Sequence, residues 1–267
     1  METVRIPLSL QSVTGLGEPV RAYPRNAFRK AWSIVVCVAW AVLGLALGFY
    51  GLAIYPRAGP QQVTGLDVPL ILGLAGLLLL AALVRSWRTA SRWDEAALVY
   101  RDGFAYFNGR QVRAYKWQDI NAVMIDVARR RYLAVIPGGT RHRYGIVGVA
   151  GKVQLDDGLS RVEDLFDRIR DGSFPHILRR SRRAFQAGVS VDFGPISISR
   201  RLGVQIRWKK YAWDEIARIS ATNGALEITP KKDGLFSRRR IAIARIPNLD
   251  AFLVIAADAA PGRVGAG

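Results

Sequence analysis

Cysteine and histidine are almost absent from this chain: one Cys (Cys37) and two His (His142 and His176) among 267 residues. A lone thiol excludes a disulfide framework, and so small a Cys/His set excludes a structural zinc site or a repeated metal-ligand motif. The side chain used most often for general acid–base work is equally scarce. Acidic residues are also few, 21 against 39 Lys and Arg, which leaves a net charge of +18 and a pI near 10.8. Hydrophobic residues make up 50% of the chain, so it is not a disordered basic segment. The length suits one or two domains.

The hydrophobic residues are concentrated. Ala31–Tyr55 and Val68–Val84 carry no charge, and a bilayer core needs roughly 17 to 25 apolar helical residues. Neither stretch has a polar face, which argues against buried helices of a soluble fold. The first lies too far from the start, and is too long, for a cleaved signal peptide. The spacing therefore predicts a transmembrane hairpin, 31–55 and 68–84, after an N-terminal segment 1–30. Arg21, Arg25, Arg29 and Lys30 precede it, and Arg85, Arg88 and Arg92 follow, with Pro56–Asp67 as the connection. This excess of basic residues places both termini in the cytoplasm and the hairpin in the cell (inner) membrane. Trp32, Tyr55, Trp87 and Trp93 sit where interfacial aromatics belong.

No ionisable residue interrupts either span, so the hairpin reads as an anchor rather than a transport pathway. Cys37, inside the first span, reads as packing. Gly44, Gly48, Gly51, Gly73 and Gly76 offer small faces for helix–helix contact, a route to an oligomer.

Beyond the hairpin the pattern changes to short alternating stretches broken by Asp102–Gly103, Asn108–Gly109, Asn223–Gly224 and Asp233–Gly234, favoured hairpin turns. The alternation predicts strands at Ala97–Arg101, Phe104–Phe107, Gln111–Tyr115, Ile120–Val127, Lys152–Leu155, Ile196–Ser199, Val204–Trp208, Ile216–Ala221, Ala225–Thr229 and Arg239–Ala244. Tyr115–Lys116–Trp117–Gln118–Asp119–Ile120 matches Tyr211–Ala212–Trp213–Asp214–Glu215–Ile216 with similar flanking strands, an internal repeat. Ser160 and Glu163 have capping-box spacing before a helix carrying Val162, Leu165, Phe166 and Ile169. A second helical stretch covers Pro175–Ala187, ending at Gly188. Leu249, Phe252, Leu253 and Ala256 mark a closing helix.

These motifs, with Val99–Tyr100–Arg101–Asp102–Gly103, Phe193–Gly194–Pro195–Ile196 and Ala244–Arg245–Ile246–Pro247–Asn248, resemble a bacterial membrane-protein family of unknown function with PH-like cytoplasmic domains. The resemblance covers about Arg25 to Ala257. It implies a membrane-anchored α+β fold: the hairpin, then tandem PH-like antiparallel β-barrel units, 93–188 and 189–260, each closed by a C-terminal helix. A disordered tail, 261–267, completes the expected organisation. The resemblance brings no catalytic residues with it.

Nothing catalytic emerges from the residues themselves. Gly148–Val149–Ala150–Gly151–Lys152 fails as a phosphate loop, because Ile146 and Val153 occupy the positions of the first Gly and the hydroxyl. Asp156–Asp157 reads as a solvated turn, and Trp117 and Trp213 as structural. The expectation is a non-enzyme without cofactor or metal. The remaining signal is basic clustering, 33 basic against 18 acidic residues from Arg85 onward. Arg129, Arg130, Arg131, Arg141, Arg143, Lys209, Lys210, Lys231, Lys232, Arg238, Arg239 and Arg240 are the candidate contacts to an anionic surface. Arg179, Arg180, Arg182 and Arg183 form a further cluster. The expected function is a binding or scaffold module for anionic lipid headgroups or an acidic protein partner, with the bilayer itself as a further partner. Nucleic acid is disfavoured for a tethered chain without a reading motif. The alternative is a small subunit of a transport or channel complex.

Overall fold

The computed structural model describes Leu10 and residues 15–54, 67–91, 93–132, 136–222, 224–231 and 239–266. Tyr55, residues 56–66, Arg92, Asn223, Lys232, Asp233, Gly234 and Arg238 lie outside the described residues, as do the side chains of Arg29, Arg129, Arg130, Arg131 and Arg141.

The polypeptide begins its first sheet before the apolar helices and finishes it after them. Strand β1 (Pro19–Pro24) pairs antiparallel with β2 (Ala96–Tyr100), with Pro24 opposite Ala96. Helices α1 (Ala27–Ile54) and α2 (Asp67–Ala90) are thus inserted between two neighbouring strands. Strands β3 (Gly103–Phe107) and β4 (Val112–Lys116) complete the sheet, ordered β1-β2-β3-β4. The N-terminal segment is therefore part of the first unit rather than separate from it. Leu10 and Leu16 cover Ala96, Leu98 and Tyr100 in a small second core.

Segment β1 is fixed at several points. Asn26 N–H donates to the Gly158 carbonyl and Ser160 N–H to the Pro24 carbonyl, both at 2.8 Å. The buried Tyr23 hydroxyl donates to Asp164, whose carboxylate also meets Arg21 at 3.2 Å. Burial pushes Tyr23 up to about 12. The Tyr23 hydrogen bond, with Arg21 and Arg168, holds the Asp164 carboxyl below its ordinary value. A carboxylate depressed on folding stabilises the fold above its unfolded pKa and loses that contribution as pH falls through the folded one. Asp164→Asn should therefore cost about 1 kcal/mol at neutral pH, discounted for exposure. The difference from the parent should begin to shrink as pH falls through the ordinary carboxyl range near pH 4 and vanish only below the depressed folded value of Asp164. Parallel thermal melts across pH 3–7 measure this; a pH-independent difference would refute it.

Both helices are long and apolar enough to cross a membrane. Helix α2 runs past the expected end at Val84, through Arg85, Trp87 and Arg88, to Ala90. Phe28, Trp32, Leu43, Phe49, Leu70, Leu83 and Trp87 point outward. The helices approach closely at glycine. A Cβ on Gly44 would lie 3.0 Å from Leu79, and one on Gly51 would lie 3.2 Å from Ile71. The Gly44 and Gly51 faces thus serve packing within the hairpin. Gly73 and Gly76 have nothing within 4 Å. Ser33 and Thr89 hydroxyls meet at 2.7 Å, and Cys37 is buried as expected.

A 3-10 turn, Trp117–Asp119, leads from β4 into β5 (Ile120–Tyr132), β6 (Ile136–Gly148) and β7 (Gly151–Asp156), an antiparallel sheet. Val149 and Ala150 form the turn between β6 and β7, where the phosphate-loop likeness fails. Helix α3 (Val162–Gln186) follows. The order then recurs with β8 (Val191–Phe193), β9 (Ile196–Ser199), β10 (Gly203–Ile206) and β11 (Lys209–Tyr211). After them come the 3-10 turn Trp213–Glu215 and strands β12 (Ile216–Thr222), β13 (Ala225–Pro230) and β14 (Arg239–Ala242). A 3-10 turn at Ile243–Arg245 leads to α4 (Leu249–Ala259). Equivalent indoles make equivalent bonds: Trp117 donates to the Arg101 carbonyl at 2.9 Å, Trp213 to the Ser199 carbonyl at 3.0 Å.

Several expectations are corrected. The described strands form four separate sheets, and none closes into a barrel. The two helical stretches before Gly188 are one helix, despite Pro175. Its front half buries Leu165, Phe166 and Ile169, and its rear half buries Ile177 and Phe185, so packing on both units outweighs one lost backbone bond. Ser160 does not cap it. Arg161 occupies the N-cap with φ +49°, and Glu163 turns to His142 instead. Val204–Trp208 is not a continuous strand, because Arg207 and Trp208 form the β10–β11 turn. The C-terminal segment is not a free tail, since β15 (Val264–Ala266) runs parallel to β12.

Helix α3 joins the halves. The Trp117 ring packs where a Cβ on Gly172 would lie 2.7 Å away, while Phe185 meets Trp213 edge-on at 6.1 Å. Asn248 stitches the second unit to β5: its Oδ1 accepts from Val123 N–H and its Nδ2 donates to the Asn121 carbonyl, both at 2.9 Å. One hydrophobic core, from Tyr23 to Ala256, crosses both units.

Candidate anionic-ligand interface

Two basic crevices occupy corresponding places in the two units. The first lies between the end of α2, the β3–β4 turn and β7, and its lining includes Arg110, Arg113, Arg143 and Lys152 with Ser91, Asn108 and one carboxylate, Asp156. The turn presents Arg110 because Asn108 Oδ1 accepts from the N–H groups of Arg110 and Gln111, both at 2.9 Å. Arg113 is braced across the gap, donating to the Lys152 carbonyl at 2.7 Å. Behind it, burial pushes the Tyr115 hydroxyl up, while Arg113 opposes that shift.

The second crevice lies between the β8–β9 turn, the β10–β11 turn and β14. Arg207, Trp208, Lys209, Arg239, Arg240 and Arg245 line it. Ile206 pairs with Lys209, so Arg207 and Trp208 form a two-residue turn, and Arg207 takes φ +53°. A non-glycine residue in the left-handed region carries backbone strain. The turn sends the indole outward, with Trp208 80% exposed and the Arg207 guanidinium 5.9 Å from its ring centre. Arg239 donates to the Tyr211 hydroxyl at 3.2 Å, and Arg240 meets Glu227 at 2.9 Å.

Of the candidates read from sequence, Arg143 enters the first crevice and Lys209, Arg239 and Arg240 the second. Lys210 and Lys231 are exposed but line neither. The side chains of Arg129, Arg130, Arg131, Arg141, Lys232 and Arg238 lie outside the described residues. Arg110, Arg113, Lys152 and Arg245 stand apart from the basic runs of the sequence, whereas Arg207 and Trp208 directly precede Lys209–Lys210 and join the site through the turn they form. Turn position was the available signal for Arg110, beside Asn108–Gly109.

The structure also gives His142 the partners that the sequence hid. Asp157 Oδ1 lies 3.1 Å from its Nδ1, and Glu163 Oε1 lies 2.9 Å from its Nε2. Asp157 is therefore not merely a solvated turn residue. Among the described residues no group of His, Cys, Asp and Glu could hold a metal ion.

Comparison with known proteins finds a match between residues 9–260 and a family of unknown function. No curated protein and no solved structure matches the chain.

Proposed function

The chain belongs to the DUF6585 family of unknown function, and from that premise we propose a membrane-anchored binding module whose basic crevices engage anionic phospholipid headgroups. In this reading α1 and α2 cross the inner membrane of a bacterial cell, with both termini in the cytoplasm. Each unit is a diverged PH-like repeat of four strands, a Trp turn, three strands and a helix. The observation that carries the reading is the position of the first crevice. Ser91, the residue directly after α2, lines it, so Arg110, Arg113, Arg143 and Lys152 stand at the exit of the hairpin. Basic groups near an anionic leaflet contribute about 1 kcal/mol each. The exposed Trp208 beside Arg207 and Lys209 repeats the combination of indole and cation in the second unit.

The test uses the full chain in neutral phosphatidylcholine nanodiscs, exposed to vesicles with and without phosphatidylglycerol across a salt series. Anionic vesicles should bind at low salt and release as salt rises. Arg207→Gly with Lys209→Gln should weaken binding by about tenfold or more. Arg207→Gly alone should raise the melting temperature slightly, since glycine relieves the strained turn. Indifference to vesicle composition would defeat the lipid reading and leave an acidic protein as the partner. A transport or channel subunit is disfavoured, since no Asp, Glu, Lys, Arg or His lies between Ala31 and Ile54 or between Val68 and Val84.

A further inference from the structure

A groove runs along the outside of the helical hairpin, and its chemistry changes from one end to the other. At the end near the first β unit it is lined by Arg25, Arg85 and Arg88; further along, by Trp40, Leu77 and Leu80. Ser33 and Thr89, bonded to each other at 2.7 Å, hold the helices together at the basic end. The distance from Ser91 to Leu77 along α2 is about 21 Å at 1.5 Å per residue, comparable to half a bilayer. The groove is open along its side and offers about 1250 Å³, room for a long occupant. Its occupant must therefore be long, anionic at one end and apolar along the rest.

We propose that this groove holds one anionic phospholipid, its phosphate between Arg85 and Arg88 and an acyl chain along Trp40, Leu77 and Leu80. Charge complementarity decides the occupant. A zwitterionic lipid offsets its own phosphate with a headgroup cation and a second apolar helix brings no anion, so neither neutralises the two guanidinium groups as a net anionic phospholipid does. Trp40, 43% exposed, lines the apolar part. The site differs from the crevices of the β units in holding acyl chain as well as headgroup. It meets the first crevice at Ser91, which lines both. The inference rests on the reading that α1 and α2 span a bilayer.

Native mass spectrometry of the full chain, purified in mild detergent and supplied with phosphatidylglycerol or phosphatidylcholine, tests it. One phosphatidylglycerol should remain per chain under conditions that strip phosphatidylcholine. Arg85→Gln with Arg88→Gln should reduce retention at least tenfold, Arg85→Lys with Arg88→Lys should preserve most of it, and Leu80→Trp should expel the lipid while leaving both arginines in place. Equal retention of both lipids, or retention unchanged in the Gln and Trp variants, would overturn the proposal. Alkaline carbonate extraction of the same cells separates the two failures. A chain released by carbonate refutes the spanning reading, whereas a chain that stays in the membrane but retains no phosphatidylglycerol refutes the groove alone.

Discussion

Replacing residues 27–93 by a short Gly/Ser/Asn linker should leave a folded protein that needs no detergent, whereas a chain beginning at Arg92 should unfold or aggregate. The two deletions remove the same apolar helices and differ chiefly in residues 1–26, which hold β1 and the Asn26 anchor to Gly158. Pro24 and Ala96 are already partners in an antiparallel ladder, so a tight connection replaces the hairpin without moving either strand. Starting at Arg92 instead strips the edge of β2, whose five residues are all buried, and opens a flat apolar strand to other chains. It also removes Tyr23, which is 1% exposed. Losing a buried aromatic costs about 3–5 kcal/mol, or roughly 10 °C of melting temperature in a domain of this size. Size-exclusion chromatography and thermal melts followed by circular dichroism distinguish the outcomes. If the chain beginning at Arg92 folds and melts as the linker chain does, β1 is dispensable and the inserted-hairpin architecture is wrong.

Substituting alanine at Gly203 or Gly103 should be among the most damaging single changes in the chain. Each glycine opens a strand, and its missing side chain leaves room for the carbonyl of the neighbouring strand's tyrosine. A Cβ would lie 2.0 Å from the Tyr211 oxygen at Gly203 and 2.1 Å from the Tyr115 oxygen at Gly103. These obstacles are backbone atoms, so no side-chain rotation relieves them, and Gly203 additionally has φ +81°. A loss of about 3–5 kcal/mol is expected at each, the far tail of single substitutions. Gly188→Ala supplies the control, since Gly188 also has positive φ, +78°, but nothing within 4 Å. It should cost about 1 kcal/mol, the conformational penalty alone. Denaturant melts of the three variants measure the contrast. A loss at Gly203 no greater than at Gly188 would show that the strands can part without cost.

The matched response expected at Gly103 and Gly203 bears on the similarity between the halves. The Trp-acid-Ile motif is local, so it was legible in sequence, and both indoles bond to a carbonyl two strands back. The strand Ile196–Ser199 was legible for a similar reason: alternation over four residues depends on one buried face and nothing distant. β1 was not legible, because its partner lies beyond two apolar helices and only long-range pairing identifies it. Nor was Trp208 as a turn residue. Its hydrophobicity continues the alternation of β10, and the departure lies in the backbone at Arg207, which no composition rule anticipates.

The sequence by itself determined the two helices long and apolar enough to cross a membrane, the excess of positive charge and the alternating β pattern beyond them. Each follows from residue type at short range: bare apolar length, unopposed Lys and Arg, and the two-residue period of a half-buried strand. Tertiary structure decided where the hairpin is inserted, and it made one spine of α3, against which both tryptophans pack. It also decided which cations converge. Arg110, Arg113, Arg143 and Lys152 are scattered over more than 40 positions, and sheet register alone brings them to one crevice beside Ser91. Runs such as Arg129–Arg130–Arg131 are conspicuous in the sequence, but adjacency in sequence does not by itself build a site. Convergence of charge requires strands to be paired, and pairing is decided by the fold.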